Sequence, residues 1–138
     1  MSTDPAPRHQ SRERALTLLY EAELKGERPT EVLAALPMVP DPYVTTLVTE
    51  VGTRSEQIDA LVGEAAIGWD LDRMAVVDRN VLRLATAELL ACDDVPVAVI
   101  LNEAVDLASA FSTDDSGRFV NGVLATIAAR VRPETSGP

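Results

Sequence analysis

Residues 97–111 read VAVILNEAVDLASAF, and the apolar positions of this stretch recur at intervals of three and four residues. The residues that share this spacing are Val99, Ile100, Ala104, Leu107, Ala108 and Phe111. The spacing is typical of a helix with one buried face, whereas a half-buried strand would alternate every second residue. Pro96 suits a first helical turn, since its missing N–H group would have no helical partner there. The stretch therefore predicts an amphipathic helix.

Similar helical patterns extend in both directions from this stretch. Ala15, Leu18, Leu19 and Ala22 form one face before Gly26, which is well placed to end a helix. The other predicted helices are a short one over 30–36 capped by Thr30, a long region over 43–66 with a bend at Gly52 and an end at Gly68, and a short turn capped by Asp72. A helix capped by Asp78 follows, and a loop over 112–117 precedes a last helix that carries Phe119 and Val131. No strand alternation or hairpin signal interrupts them. The pattern predicts an all-α protein of about seven helices, with Trp69 and Leu71 as apolar plugs at a seam between two halves.

The length of 138 residues corresponds to one domain, and 46% of the residues are apolar, enough for a packed core. We expect a flexible tail over 1–7, a helical domain over 8–132 with halves 8–68 and 69–132, and a C-terminal tail over 133–138. Cys92 is the single cysteine, so no internal disulfide is expected. The sequence shows no signal peptide and no apolar run of membrane-spanning length, which predicts a soluble cytoplasmic protein.

The net charge of −10 argues at first against a nucleic-acid partner, but the charge is unevenly distributed. Residues 21–115 carry 19 acidic and 6 basic side chains, whereas the two ends together carry 3 acidic and 6 basic ones. The acidic body would repel phosphate and keep the protein in solution, and the ends could attract phosphate.

No set of residues predicts catalysis. His9, the single histidine, lies near the start of the chain without a visible partner, and Cys92 is better explained as a buried structural thiol. The acidic pairs at 93–94 and 114–115 each precede a predicted helix, where carboxylates cap the helix and complement its dipole. The sequence contains no zinc-type cluster and no phosphate-binding glycine loop. We therefore expect a binding protein, not an enzyme, with no metal and no cofactor.

Three segments favour binding. Residues 8–14 read RHQSRER, and arginine side chains can pair with phosphate and stack on bases. Asn102 and Glu103 are polar residues within an apolar helix and are either solvated or in contact with a ligand. Residues 118–124 read RFVNGVL, in which Gly122 costs a helix about 1 kcal/mol relative to alanine. This glycine either allows tight packing against a neighbouring helix or leaves room for a ligand, and the sequence leaves both open.

Taken together, these segments resemble the NusB family of transcription antitermination factors. The motifs that carry the resemblance are Arg8–Arg14 with Ala15 and Leu19-Tyr20, Asp78–Ala85 with Glu88-Leu89, Asp94-Val95-Pro96, Asn102–Val105 with Leu107-Ala108, and Asp115-Ser116 with Phe119–Leu124. They cover nearly the whole chain, from about residue 8 to residue 132, and the last two motifs are specific in order and spacing.

The resemblance implies two packed three-helix-type bundles and binding of the boxA element of ribosomal RNA leaders. It also implies a small-subunit ribosomal protein, NusE, as partner, and indirect contact with other Nus factors and RNA polymerase. The expected RNA-binding residues are Arg8, Gln10, Arg12, Arg14, Asn102, Glu103, Arg118, Phe119, Asn121 and Gly122. The expected protein-partner residues are Tyr20, Glu88 and Ala125.

Two departures from the family pattern bear on affinity. The N-terminal segment carries fewer arginines than is usual, and Ala125 stands where some members have an aspartate near the protein partner. An alternative is a protein-binding helical adaptor with weak or no RNA affinity, which the charge of −10 favours. Some family members form homodimers, and the sequence leaves open whether this chain does.

Overall fold

The computed structural model describes residues 7–133, and these residues form seven α-helices and no strand. The helices are α1 (Arg8–Lys25), α2 (Pro29–Ala34), α3 (Pro42–Thr53), α4 (Ser55–Ala65), α5 (Val76–Ala91), α6 (Val97–Phe111) and α7 (Asp114–Val131), with a 3₁₀ turn at Leu71–Arg73. The all-α prediction of about seven helices is confirmed. The tails predicted at residues 1–6 and 134–138 lie outside the described residues, and the division into halves at 68/69 stays a prediction.

Helix α1 ends where the sequence predicts. Gly26 adopts a left-handed conformation with φ of +67°, and its N–H group donates to the carbonyl groups of Ala22 and Glu23. Glu27 then donates its backbone N–H to Ala22 at 2.9 Å, which completes the cap. Residues with a Cβ atom are disfavoured in this conformation, so a glycine suits the position.

The region predicted as one bent helix over 43–66 is two helices, α3 and α4, which are separated at Arg54. The prediction of a bend at Gly52 is wrong. This glycine lies within α3, and a Cβ atom added to it would lie 2.8 Å from Cγ2 of Thr30. It therefore allows α2 and α3 to approach closely. Thr30 does not cap α2, since the N-cap is Arg28.

Helix α5 is the centre of the fold, because it packs against α1, α3, α4, α6 and α7. Its buried apolar side chains include Val81, Leu82, Leu84 and Leu89. The expected cap at Asp78 is wrong: α5 begins at Val76, and the carboxylate of Asp78 accepts a hydrogen bond from Ser116 on α7 at 3.0 Å. The same carboxylate therefore joins two helices.

The loop before α5 also differs from the prediction. Trp69 is not a buried plug, since 52% of its surface is exposed. Its ring contacts Phe119 of α7 edge to face, with ring centroids 5.9 Å apart and planes at 64°. Asp72 lies in the 3₁₀ turn and does not cap it. The aromatic pair thus lies at the surface where the loop meets α7.

Helices α6 and α7 form the most extensive helix pair of the molecule. Helix α6 begins at Val97 after Pro96, one residue later than the first-turn prediction for this proline. Thr113 caps α7 by accepting a hydrogen bond from the N–H group of Ser116 at 3.1 Å. A Cβ atom at Gly117 would lie 2.6 Å from Oγ of Ser109 and 3.3 Å from Cγ1 of Val105, so Gly117 permits the close approach of α6 and α7.

Candidate nucleic-acid interface

Arg12 occupies a buried position where α1, α5 and α6 meet. Its guanidinium donates to both carboxylate oxygens of Glu88, with nitrogen–oxygen distances from 2.6 to 3.1 Å, and to Glu103 at 2.9 Å. The hydroxyl of Tyr43 donates to the same Glu88 carboxylate at 2.5 Å. Only 4% of Arg12 and 1% of Glu88 are exposed. Charged groups this deeply buried are stable only when they are paired and hydrogen-bonded, as here.

The buried network corrects two expectations. Arg12, expected to bind RNA, is not a free cation, because Glu88 and Glu103 already occupy its donors. Glu88, expected to contact a protein partner, lies inside the molecule and offers no surface. Both residues hold the helices in place around the start of α1.

The first turn of α1 lies against α3 and α6. The guanidinium carbon of Arg8 lies 4.0 Å from the centre of the Tyr43 ring, a cation–π contact. Nδ1 of His9 lies 3.0 Å from Oε2 of Glu103, and this hydrogen bond is the main reason that the pKa of His9 is raised. Gln10 and Arg14 are exposed one turn apart. The segment 8–14, predicted to favour binding, is therefore the start of helix α1, with Arg8 and Arg14 exposed.

The exposed side of α6 connects the start of α1 with the start of α7. Glu103 faces α1, and Val105 and Ser109 face α7. At 3.6 residues per turn, Asn102 and Asp106 fall between these two edges of α6, and both are exposed. The structure thus places residues 8–14 next to Asn102 and Glu103, and residues 118–124 on the other side of α6.

The N-terminal half of α7 presents Arg118, Asn121 and Gly122 to solvent. Arg118 pairs with Asp115 three residues earlier, and both side chains are largely exposed. Such surface pairs contribute about 0–1 kcal/mol, so Arg118 can exchange this carboxylate for a phosphate at little cost. An added Cβ atom at Gly122 would meet nothing within 4 Å. Tight helix packing, one of the two explanations for Gly122, is therefore wrong, and Gly117 has that role instead.

The residues expected to contact a protein partner do not form one surface. Tyr20 lies in a groove of about 280 Å³ that Leu16, Thr17, Val77 and Phe111 complete. Ala125 is exposed on α7, and Glu88 is buried. Of the three expected partner residues, Tyr20 is the one that lines an apolar groove, which a side chain of a partner could enter.

Cys92 is buried at the end of α5, as expected, and burial raises the pKa of its thiol, which disfavours the reactive thiolate. Within residues 7–133, no group of three metal-ligating side chains comes together, and no helix is long and apolar enough to cross a membrane.

Comparison with known proteins identifies the family of the chain. The family model described as the NusB family matches residues 9–129. The chain belongs to the NusB family. Transcription antitermination protein NusB of Salinispora tropica is 46% identical over 128 residues, which cover 88% of this chain and 94% of the relative.

Solved NusB structures share the fold. Thermotoga maritima NusB superposes with a TM-score of 0.83 at 32% identity, covering 96% of this chain and 98% of that one. A chain from a structure of the antitermination factors NusB and NusE in complex with double-stranded RNA gives a TM-score of 0.76 at 30% identity, covering 89% and 96%. These similarities extend over nearly all of the described helices.

Sequence reasoning missed three residues of this region. Tyr43 carried no signal, because its role depends on Glu88 from another helix. Trp69 looked like a core residue because of its size, although an isolated tryptophan in a polar loop is also a common surface contact residue. Gly117 was missed because the helical pattern alone does not tell whether Gly117 or Gly122 faces a neighbouring helix.

Proposed function

We propose that this chain is an RNA-binding transcription antitermination factor that binds boxA-type RNA of ribosomal RNA leaders together with the ribosomal protein NusE. In this role it acts in the cytoplasm, in contact with RNA polymerase through other Nus factors, and catalyses no reaction. The observation that carries the proposal is the likeness, over 89% of this chain, to a chain in a solved assembly of NusB, NusE and RNA.

The exposed strip from the start of α1 across α6 to the start of α7 supports an RNA path. Arg8 and Arg118 offer cations at its two ends, and Asn102 and Asn121 offer amide groups that can pair with base edges or sugars. The RNA-contacting residues of the proposal are Arg8, Gln10, Arg14, Asn102, Arg118, Phe119, Asn121 and Gly122. Arg12 and Glu103 support this surface from beneath, through their mutual ion pair and the contact of Glu103 with His9.

The protein partner of the proposal docks at the Tyr20 groove and along the exposed side of α7 at Ala125. The groove is apolar and ends at the exposed ring of Phe111, which is typical of a pocket that receives one anchoring side chain. Glu88 contributes to partner binding only indirectly, because it holds α1 in position. A homodimer that uses part of these surfaces would compete with both ligands.

A binding titration tests the proposal. Fluorescently labelled boxA RNA is titrated with the protein, alone and with purified NusE, and a scrambled RNA of equal composition is the control. The proposal expects tighter binding to boxA than to the scrambled RNA, and tighter still with NusE. Equal binding to both RNAs, or none with NusE present, would refute it.

A second candidate is a helical protein adaptor without RNA affinity. The net charge of −10 and the burial of Arg12, which leaves fewer free cations at the start of α1, favour it. This adaptor would give no RNA binding in that titration, and in a separate titration of labelled NusE it would bind NusE with no effect of added RNA.

A further inference from the structure

We infer that the cleft lined by Trp69 and Phe119 is a binding pocket for one unstacked RNA base. This inference rests on the proposed function and adds a subsite to it. The cleft has a volume of about 310 Å³, at the small end of ligand pockets, which fits a single base better than a segment of helix. Its walls include Trp69, Met74, Ala75, Asp78, Thr113, Ser116 and Phe119.

The walls of the cleft suit a flat, uncharged ring. Trp69 stands half exposed with its ring held by the edge-to-face contact with Phe119, so one aromatic surface remains available to a ligand. Met74 and Ala75 add apolar surface on the side of the loop. Stacking on aromatic side chains is the usual way in which proteins hold an unpaired base, and every base has the necessary π-face.

Charge indicates that a base enters the cleft and that a phosphate stays outside. The carboxylate of Asp78 lines the cleft and is buried, and Asp115 lies at the rim, so a phosphate inside would be repelled. Arg118, one residue before Phe119, is exposed and offers a cation for the backbone just outside. The hydroxyl groups of Thr113 and Ser116 border the same space but already bond to each other and to Asp78, so the base is held by the aromatic and apolar walls.

Continuity with the proposed RNA path favours RNA over a protein occupant. Phe119 forms a wall of the cleft, and Asn121 and Gly122 follow on the exposed side of the same helix start. A strand of RNA that crosses Arg118 therefore passes the mouth of the cleft. The alternative occupant, a basic side chain of a protein, is one of the outcomes of the test.

The test uses Trp69 as its own probe, because it is the single tryptophan of the chain. Unlabelled boxA RNA and, separately, NusE are added to the wild-type protein while tryptophan emission is recorded. A stacked base should quench the emission of Trp69 in parallel with RNA binding measured by anisotropy. A change with NusE but none with RNA would assign the cleft to the protein partner and overturn the inference.

Variants provide the second measurement. Trp69→Leu should weaken RNA binding about tenfold, because it removes one stacking platform, while Trp69→Phe should retain most of the affinity. The slope of affinity against salt should not change in either variant, since no ionic contact is lost. Ile67→Ala is the matched control, because Ile67 is 89% exposed in the same loop and does not line the cleft.

The outcomes separate the pocket from the proposed function. The pocket is refuted, while RNA binding stands, if RNA binds Trp69→Leu as tightly as the wild type and does not quench the tryptophan emission of the wild type. If the wild type binds no RNA with or without NusE, the proposed function and the pocket fail together. Thermal melting of Trp69→Leu should match that of the wild type, which shows that any loss of affinity is not a loss of fold.

Discussion

The guanidinium of Arg12 and the carboxylate of Glu88, 76 positions apart in the sequence, form a forked pair with two donors on two oxygens, sealed from solvent. The pair fixes α1 to α5, and Glu103 and Tyr43 extend it to α6 and α3. The position of the exposed residues on the first turn of α1 therefore depends on a buried ionic contact.

Breaking this pair should destabilise the protein strongly. Arg12→Met leaves the Glu88 carboxylate buried with only Tyr43 as donor, and we expect a loss of about 3–5 kcal/mol in the free energy of unfolding. Urea denaturation measures it. Arg14→Met, two positions later and exposed, should stay within about 0.5 kcal/mol of the wild type. A loss for Arg12→Met no larger than for Arg14→Met would contradict the buried arrangement.

Arg132, near the other end of the described chain, should stabilise the fold to a similar extent as Arg12. Its guanidinium donates to the carbonyl groups of Glu88, Leu89, Cys92 and Val95, at the end of α5 and in the turn that follows. Arg132→Met should lower the free energy of unfolding by about 3 kcal/mol, since charged hydrogen bonds to buried carbonyls are lost. Arg130→Met is the matched control, because Arg130 forms only an exposed pair with Glu64.

The two glycines at the start of α7 should respond in opposite directions. Gly122→Ala should raise the free energy of unfolding by up to about 1 kcal/mol, because the site is open and alanine favours helices. Gly117→Ala should lower it by about 1–3 kcal/mol, since the added methyl group collides with Ser109 and Val105. Thermal or urea unfolding of both variants measures the pair, and stabilisation by Gly117→Ala would contradict the close helix contact. RNA affinity should fall for Gly122→Ala if RNA approaches that backbone.

His9 should titrate above its ordinary pKa of 6.5, chiefly because of the hydrogen bond to Glu103. A raised pKa means that the folded state favours the protonated ring, so any contribution to stability or RNA affinity is complete below pH 6.5 and is lost as the pH rises past the folded value. An NMR titration of this single histidine measures it. Glu103→Gln should lower the pKa of His9, and an unchanged value would show that Glu103 is not the cause.

The helical periodicity predicted most of the fold, because apolar residues at three- and four-residue spacing report directly which face is buried. It located α1 up to Gly26 and α6 up to Phe111 nearly as the structure has them. It failed at positions whose burial depends on contacts between distant parts of the chain. Arg12 interrupts the pattern of apolar residues and therefore looks exposed, although a carboxylate from a distant helix balances its charge.

The candidate site shows the same limits of sequence reasoning. Sequence reasoning found the exposed polar residues at Asn102, Arg118 and Asn121, because they interrupt apolar helix faces. The family resemblance implied a surface role for Glu88, and nothing local in the sequence distinguishes a buried glutamate from an exposed one. Sequence reasoning also missed the cleft beside Trp69, which forms only where the loop before α5 meets α7.

The salt dependence of boxA RNA binding in the presence of NusE tests whether RNA follows the path from α1 across α6 to α7. If RNA crosses from the start of α1 to the start of α7, Arg8→Ala and Arg118→Ala should each weaken binding and each reduce the slope of log affinity against log salt by about one unit. Arg28→Ala, an exposed arginine before α2 and away from this path, should change neither quantity. Slopes for Arg8→Ala and Arg118→Ala equal to that of the wild type would contradict the proposed RNA path.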